Sequence, residues 1–450
     1  MREHDKEQDV RLARIVASGG KLRALLLELW QRTRLDWSFV SDRLSVTFRR
    51  ERSLGSSERR FVAETLYGLV RHLRRIDAAL AAGVRRGASR PRDEHRLLAY
   101  LVLECGLPPA EAARVVPELD WNAVRAIDGV IAADRKATSR IAIGCSLPDW
   151  LAARLVADWG DEAEALARGL NARAPMTVRA NTLKTTRAAL AAALAADGIA
   201  TTEGRWASHA LHLETRVNLF GLEAFQRGEL EAQDEGSQLL AELVDPPPRG
   251  TTVDFCAGAG GKTLALAAAT GGKGRVVASD VDPAKLDELR RRARRAGVAN
   301  AQAVALDPDP TAPLPPALAD VAGKVDRVLV DAPCSGVGAL RRNPEARWRL
   351  AEDELASFAA RQLAIARRAA ALLAPGGRLV YATCTVLRVE NAAVVDALRA
   401  ARPELEVVPL AEVLGARAAA LAGADGRFLE VAPHRHGTDG FFGAVLRRPA

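Results

Sequence analysis

Apolar positions in the first 140 residues recur at helical spacing. Phe61, Leu66, Leu69, Leu73, Ile76 and Leu80 keep to intervals of three to five, one apolar face of a single long helix with Ser57 as its N-cap and Gly83 as its stop. Further helices are read over 94–104 and 149–159, joined by glycine and proline turns. Residues 176–184 look like a strand carrying Arg179, Asn181 and Lys184 at its polar positions, a solvent face or else a ligand contact, and a helix over 186–196 follows. Beyond Pro246-Pro247-Pro248 the period changes. Short apolar runs at 252–255, 275–279, 301–305, 327–330 and 378–382 alternate with helical stretches, and a last run covers 440–446. Such runs are buried parallel strands, and the alternation covers both faces of their sheet. The pattern divides the chain into an all-α domain over 1–145, a small α+β linker domain over 146–232 and a doubly wound, mostly parallel α/β domain over 233–450.

Composition adds charge to this picture. The net charge is +8, and residues 1–100 alone hold 22 Lys+Arg against 13 Asp+Glu. A basic front on a near-neutral remainder suits a polyanionic partner, and a solvated helical surface accounts for it equally well. Arg49-Arg50 with Arg52, and Arg59-Arg60, are the pairs that could meet phosphates. No apolar run approaches the roughly 20 residues of a membrane span. The charged first ten residues lack a signal-peptide apolar region, so a cytoplasmic setting is expected.

Candidate chemistry gathers just past the strand ends, where an open α/β sheet binds its ligands. Asp331-Ala-Pro-Cys334-Ser follows one strand and Thr383-Cys384-Thr385 another. Thiolates are strong nucleophiles, so an acid and two thiols at one edge suggest nucleophilic chemistry. The five cysteines form no CxxC pair, which argues against zinc or a disulfide framework, and no metal is expected at His434-Arg435-His436. Cys105 and Cys145 read as inert packing residues. Cys256-Ala257-Gly258-Ala259-Gly260-Gly261-Lys262 joins a strand to a helix, yet fits neither a Walker A loop nor a dinucleotide fingerprint. A shorter glycine loop for S-adenosylmethionine remains. It is supported by Asp280 after the second strand, placed for ribose hydroxyls, Asp307 after the third, placed for an adenine amino group, and Asp331 after the fourth.

Together, residues 254–263, Asp331 to Gly338, Arg342-Asn343-Pro344 with Trp348, and Ala382-Thr383-Cys384-Thr385 with Asn391 resemble the Sun/Nop-type RNA cytosine-5 methyltransferases. Glu58-Arg59-Arg60-Phe61, Tyr67-Gly68 and Arg74-Arg75 resemble the NusB-like helical domain of that family's bacterial ribosomal RNA branch. Gly258-Ala259 stands where the family more often has Ala-Pro, and Thr385 where it usually has Ser. The resemblance implies a Rossmann-like S-adenosylmethionine-dependent methyltransferase acting on RNA, small-subunit ribosomal RNA above all; a monomer without a metal is expected. It also implies that Cys384 adds to C6 of a cytosine, that Asp331 bonds the cytosine edge, and that Cys334 assists release. Transfer RNA as substrate, a non-catalytic assembly factor and a DNA methyltransferase are the other readings.

Overall fold

The computed structural model describes residues 3–84, 92–309 and 311–450. Contacts divide the chain into two units, residues 1–172 with 340–352, and residues 173–339 with 353–450. The helices Asp149–Trp159 and Ala163–Asn171 thus go with the first unit, and a small four-stranded sheet goes with the second.

Helices build the first unit. The single helix expected over 57–83 is two, Ser56–Arg71 and Leu73–Gly83, bent at His72. The Arg75 N–H, in the first turn of the second helix, bonds the Ser146 hydroxyl at 3.1 Å. A cap supplied from 71 residues away leaves no local signal. The first helix is capped by Gly55, not Ser57: the Gly55 N–H bonds the Glu58 carboxylate at 2.9 Å. Of the arginines that suggested phosphate contacts, Arg49, Arg50 and Arg52 are exposed, Arg60 pairs with Asp9 at 2.8 Å, and Arg59 is engaged in packing. Arg59 donates to the carbonyls of Phe48, Glu51 and Leu54, and Arg75 pairs with Glu104 and Asp128. Gly68 is required because a Cβ there would strike the Tyr100 ring. The excursion 340–352 is held here by Arg347, wholly buried, whose Nη1 reaches the Cys145 carbonyl and Asn171 Oδ1, each at 2.9 Å. Trp348 Nε1 donates to the Val70 carbonyl at 3.0 Å.

Two sheets form the second unit. The smaller is antiparallel, with strands β1 (Met176–Ala180), β2 (Thr201–Glu203), β3 (Ala210–Leu213) and β4 (Leu230–Ala232) in the order β2-β3-β1-β4. The larger has eight strands: β5 (Thr251–Asp254), β6 (Arg275–Asp280), β7 (Ala301–Ala305), β8 (Val325–Asp331), β9 (Leu373–Thr383), β10 (Glu406–Val407), β11 (Leu429–Val431) and β12 (Phe441–Arg447). Their order is β10-β12-β9-β8-β5-β6-β7, with β11 also on β12. The strands from β9 through β7 run parallel, and β12 is antiparallel to β9. All six strands read from the apolar runs are present, while β10 and β11 are too short to show a period. The chain leaves β5 for β6 and β7, then returns to its other side with β8. The β5/β8 junction is therefore a topological switch point, where such sheets bind ligands.

The solvent face expected for β1 is corrected. Arg179 and Asn181 are buried. Arg179 Nη1 donates to the Gly261 carbonyl at 2.9 Å, and Asn181 Nδ2 to the Ala296 carbonyl at 2.8 Å. Lys184 Nζ caps the Arg295 carbonyl at 2.8 Å. The polar row clamps the small sheet to the glycine loop and to the helix Pro283–Ala296. Among the described residues no helix is long and apolar enough to cross a membrane.

Candidate active site

The glycine loop leaves β5 at the switch point. Gly258 and Gly260 adopt φ of 52° and 88°, and a Cβ on Gly260 would lie 2.6 Å from the Leu289 side chain. Glycine alone meets both demands without strain. Arg292 Nη1 holds the Ala259 carbonyl at 2.8 Å while Arg179 holds that of Gly261, so the loop's carbonyls are turned inward by two arginines. Its acidic neighbours are spent on backbone. Asp280 accepts from Gly258 N–H at 2.8 Å and from Asp282 N–H at 2.9 Å. Asp307 is exposed and accepts from Asp309 N–H at 2.9 Å.

Three carboxylates end adjacent strands: Asp254 on β5, Asp280 on β6 and Asp331 on β8. Asp254 is buried; Thr263 donates to its Oδ2 at 2.7 Å, and its Oδ1 has no partner. Burial, aided by repulsion from Asp331 and Asp280, pushes its carboxyl up to about 7. Burial likewise raises the Cys256 thiol well above its ordinary value, helped by the same three acids. Lys262 Nζ bonds Asp331 Oδ2 at 2.6 Å and lies 5.9 Å from the Phe441 ring centroid. Burial acts to lower the lysine, but the Asp331 charge outweighs it and the ammonium is held above its usual range.

The two thiols meet because β8 and β9 are level. Asp331 stands opposite Ala382, so the loops that follow leave the sheet side by side. Cys334 Sγ and Cys384 Sγ are 3.3 Å apart, both partly exposed. The Cys384 carbonyl accepts from Gly338 N–H at 2.9 Å, which locks one loop to the other. A Cβ on Gly338 would sit 2.7 Å from that carbonyl and overlap the Gly440 carbonyl as well. Both are backbone atoms. Gly338→Ala is therefore expected to cost about 3 kcal/mol of stability, read from chemical denaturation, and to separate the thiols.

The sequence-derived residues Asp331, Cys334 and Cys384 come together with Lys262, and the loop 256–261 lies on the adjoining strand end. Asp280 borders the loop, and Asp307 stands at the outer end of the edge strand β7. Cys105 and Cys145 take no part. Burial raises both thiols, that of Cys145 to about 11. His436 is used by its own backbone surroundings: its Nδ1 accepts from Ala432 N–H at 3.0 Å. Among the described residues no cluster of three His, Cys, Asp or Glu could hold a metal. Sequence reasoning gave no role to Glu390, Gln362 and Tyr381, which pack behind the thiols. The one signal near them is Asn391, read with the Thr383-Cys384-Thr385 motif, which accepts from Thr383 Oγ1 at 2.6 Å and donates to the Thr385 carbonyl at 3.1 Å.

A doubly wound sheet with an acid ending its second strand, and at its switch point a glycine loop that fits neither a Walker A loop nor a dinucleotide fingerprint, has the frame of an S-adenosylmethionine-dependent methyltransferase, the class to which the family match assigns it. Residues 241–447 match the family described as 16S rRNA methyltransferase RsmB/F, and residues 147–219 match its ferredoxin-like domain. The probable ribosomal RNA small subunit methyltransferase B of Bacillus subtilis is 36% identical over 321 residues, 69% of this chain and 68% of that one. The Synechocystis protein of the same name is 30% identical over 420 residues, 88% and 92% of the two chains. The crystal structure of PH0851 aligns with 94% of this chain and 97% of its own at a TM-score of 0.74 and 25% identity. That of a methyltransferase homolog from Pyrococcus horikoshii covers 68% and 97% at a TM-score of 0.57 and 26% identity. The chain belongs to the 16S rRNA methyltransferase RsmB/F family.

Proposed function

We propose that this chain methylates C5 of a cytosine in small-subunit ribosomal RNA through a covalent Cys384–C6 adduct, working as a monomer in the cytoplasm without a metal. The observation that carries the reading is the pair of thiols 3.3 Å apart beside the Lys262–Asp331 ion pair, one strand from the glycine loop. S-adenosylmethionine supplies, when bound, a methyl group on a positively charged sulfur. Its site would use the loop 256–261, with Asp280 toward the ribose hydroxyls and Asp307 toward the adenine. The partnerless Asp254 Oδ1 is the kind of buried atom that a ligand ammonium satisfies.

Cytosine C5 is a weak nucleophile until C6 is attacked. Cys384 gives up its proton to solvent, its sulfur forms the S–C6 bond, and the C5=C6 electron pair gathers on C5, which can then take a methyl group. Asp331, fixed by Lys262, accepts from the cytosine amino edge and orients the base, while the Lys262 ammonium stabilises the negative charge that addition puts into the ring. Before addition the Cys334 thiol is held well above its ordinary range, first by its hydrogen bond with Cys384 and then by burial. Addition turns Cys384 into a neutral thioether and removes the larger cause. Cys334 then loses its proton to solvent and takes the one from C5. The pair left behind rebuilds C5=C6 and expels Cys384. The base must leave its stack to reach these thiols, which favours an unpaired or flipped nucleotide. Mapping 5-methylcytosine in total RNA from cells with and without this gene tests the reading. One mark should vanish from small-subunit ribosomal RNA; loss confined to transfer RNA would move the substrate, and no lost mark would sink the proposal.

A further inference from the structure

Behind the thiol pair lies a carboxylate with no cation. Glu390 is wholly buried in the turn Arg388–Glu390. Its Oε2 accepts from Ser335 N–H at 2.8 Å and from Gln362 Nε2 at 2.9 Å, and its Oε1 from the Ser335 hydroxyl. Gln362 also donates to the Pro333 carbonyl at 3.0 Å, and the Tyr381 hydroxyl donates to the Glu390 carbonyl at 2.6 Å. These bonds grip the residues on both sides of Cys334 and tie them to the loop that begins at Cys384. Among the described residues no lysine or arginine pairs with Glu390, and its hydrogen-bond donors are neutral. A buried charge balanced by neutral donors alone is costly, and a glutamine would satisfy much of the same geometry more cheaply. The charge itself calls for a reason.

We propose that Glu390 is a positioning residue that polarises the thiol pair: its buried negative charge keeps the pair's proton on Cys334 and leaves Cys384 as the nucleophile. The inference rests on the reading of the thiols given above. The groups around the pair are Glu390 and Tyr381 on one side and Lys262 with Asp331 on the other. Glu390 holds the Ser335 N–H directly and the Pro333 carbonyl through Gln362, so its charge lies behind Cys334, whereas at the Cys384 end the Lys262 ammonium is paired with Asp331 at 2.6 Å. An uncompensated negative charge at one end and a compensated ion pair at the other make two similar thiols unequal. The test is iodoacetamide alkylation of the full chain against pH, read by peptide mass spectrometry without RNA. In a Cys384→Ser background, Glu390→Gln should lower the Cys334 alkylation midpoint by about one pH unit or more. Ser335→Ala, which keeps the charge and removes a hydroxyl, should leave the midpoint near that of the background. Equal midpoints for Glu390→Gln and its background, in folded protein, would overturn the proposal. Should Glu390→Gln fail to fold, the unaltered chain decides. Cys384 must then react about ten-fold faster than Cys334 at pH 8, and equal or reversed rates overturn it. Because no RNA is present, a wrong substrate or mechanism would show in the adduct and mapping experiments and leave these midpoints untouched.

Discussion

Cys384→Ala is expected to lower methyl transfer by about a thousand-fold or more, while Cys334→Ala leaves RNA covalently attached to the protein, visible as a slow band on a denaturing gel. The two outcomes differ although the sulfurs are only 3.3 Å apart. Without the Cys384 sulfur no S–C6 bond forms, and C5 is never activated. In the proposed mechanism, without Cys334 the bond still forms and C5 is methylated, but the C5 proton lacks its acceptor and Cys384 cannot leave. The opposite pattern, adduct lost with Cys334→Ala and activity kept with Cys384→Ala, would exchange the two roles. A double substitution separates chemistry from binding, because it should retain RNA affinity with neither turnover nor adduct.

Why the pair could be read from sequence at all is a matter of distance along the chain. Asp331, Cys334 and Cys384 each follow a short apolar run directly, and the strand-then-turn pattern is local. The glycine loop is legible for the same reason, since Gly258 and Gly260 answer local backbone demands. Glu390, Gln362 and Arg179 act across 28 to 82 residues, and their roles exist only once the strands are in register. Arg179 illustrates the limit. Its position on an alternating strand suggested solvent, whereas the small sheet lies against the glycine loop and buries it. Ser146 shows the same at a helix start, capping Arg75 from another part of the chain. The excursion 340–352 is the fullest case. Arg342, Asn343, Pro344 and Trp348 were recognisable as a motif following the Pro-Cys loop, yet by contact they belong to the helical unit, where Arg347 is buried on carbonyl groups. A residue pattern identifies such a segment without revealing what it packs against.

Asp254→Asn should raise the stability of the cofactor-free protein at pH 8 and weaken its hold on the cofactor. The folded carboxyl sits at about 7, above its ordinary 3.8, so the native fold favours the protonated form. Stability is then full below pH 4 and falls as the pH rises through 7. The fall builds up between pH 4 and 7 and amounts to about 4–5 kcal/mol, at roughly 1.4 kcal/mol per unit. Asparagine cannot ionise and removes this dependence, although an amide N–H without a partner returns part of the gain. The expected net is about 2–3 kcal/mol in favour of the variant at pH 8 and nothing, or a small loss, at pH 5, read as a crossing of melting temperatures. In the proposed site the native carboxylate regains what it costs when a ligand ammonium meets Oδ1. The variant cannot, and its affinity for S-adenosylmethionine should drop about ten- to a hundred-fold by calorimetry. Identical pH profiles together with unaltered binding would remove Asp254 from the cofactor site. A crossing with unaltered binding would leave it as a buried acid that the fold merely tolerates. Only the joint result, higher stability with poorer binding, marks a residue kept against the fold's preference for the sake of its ligand.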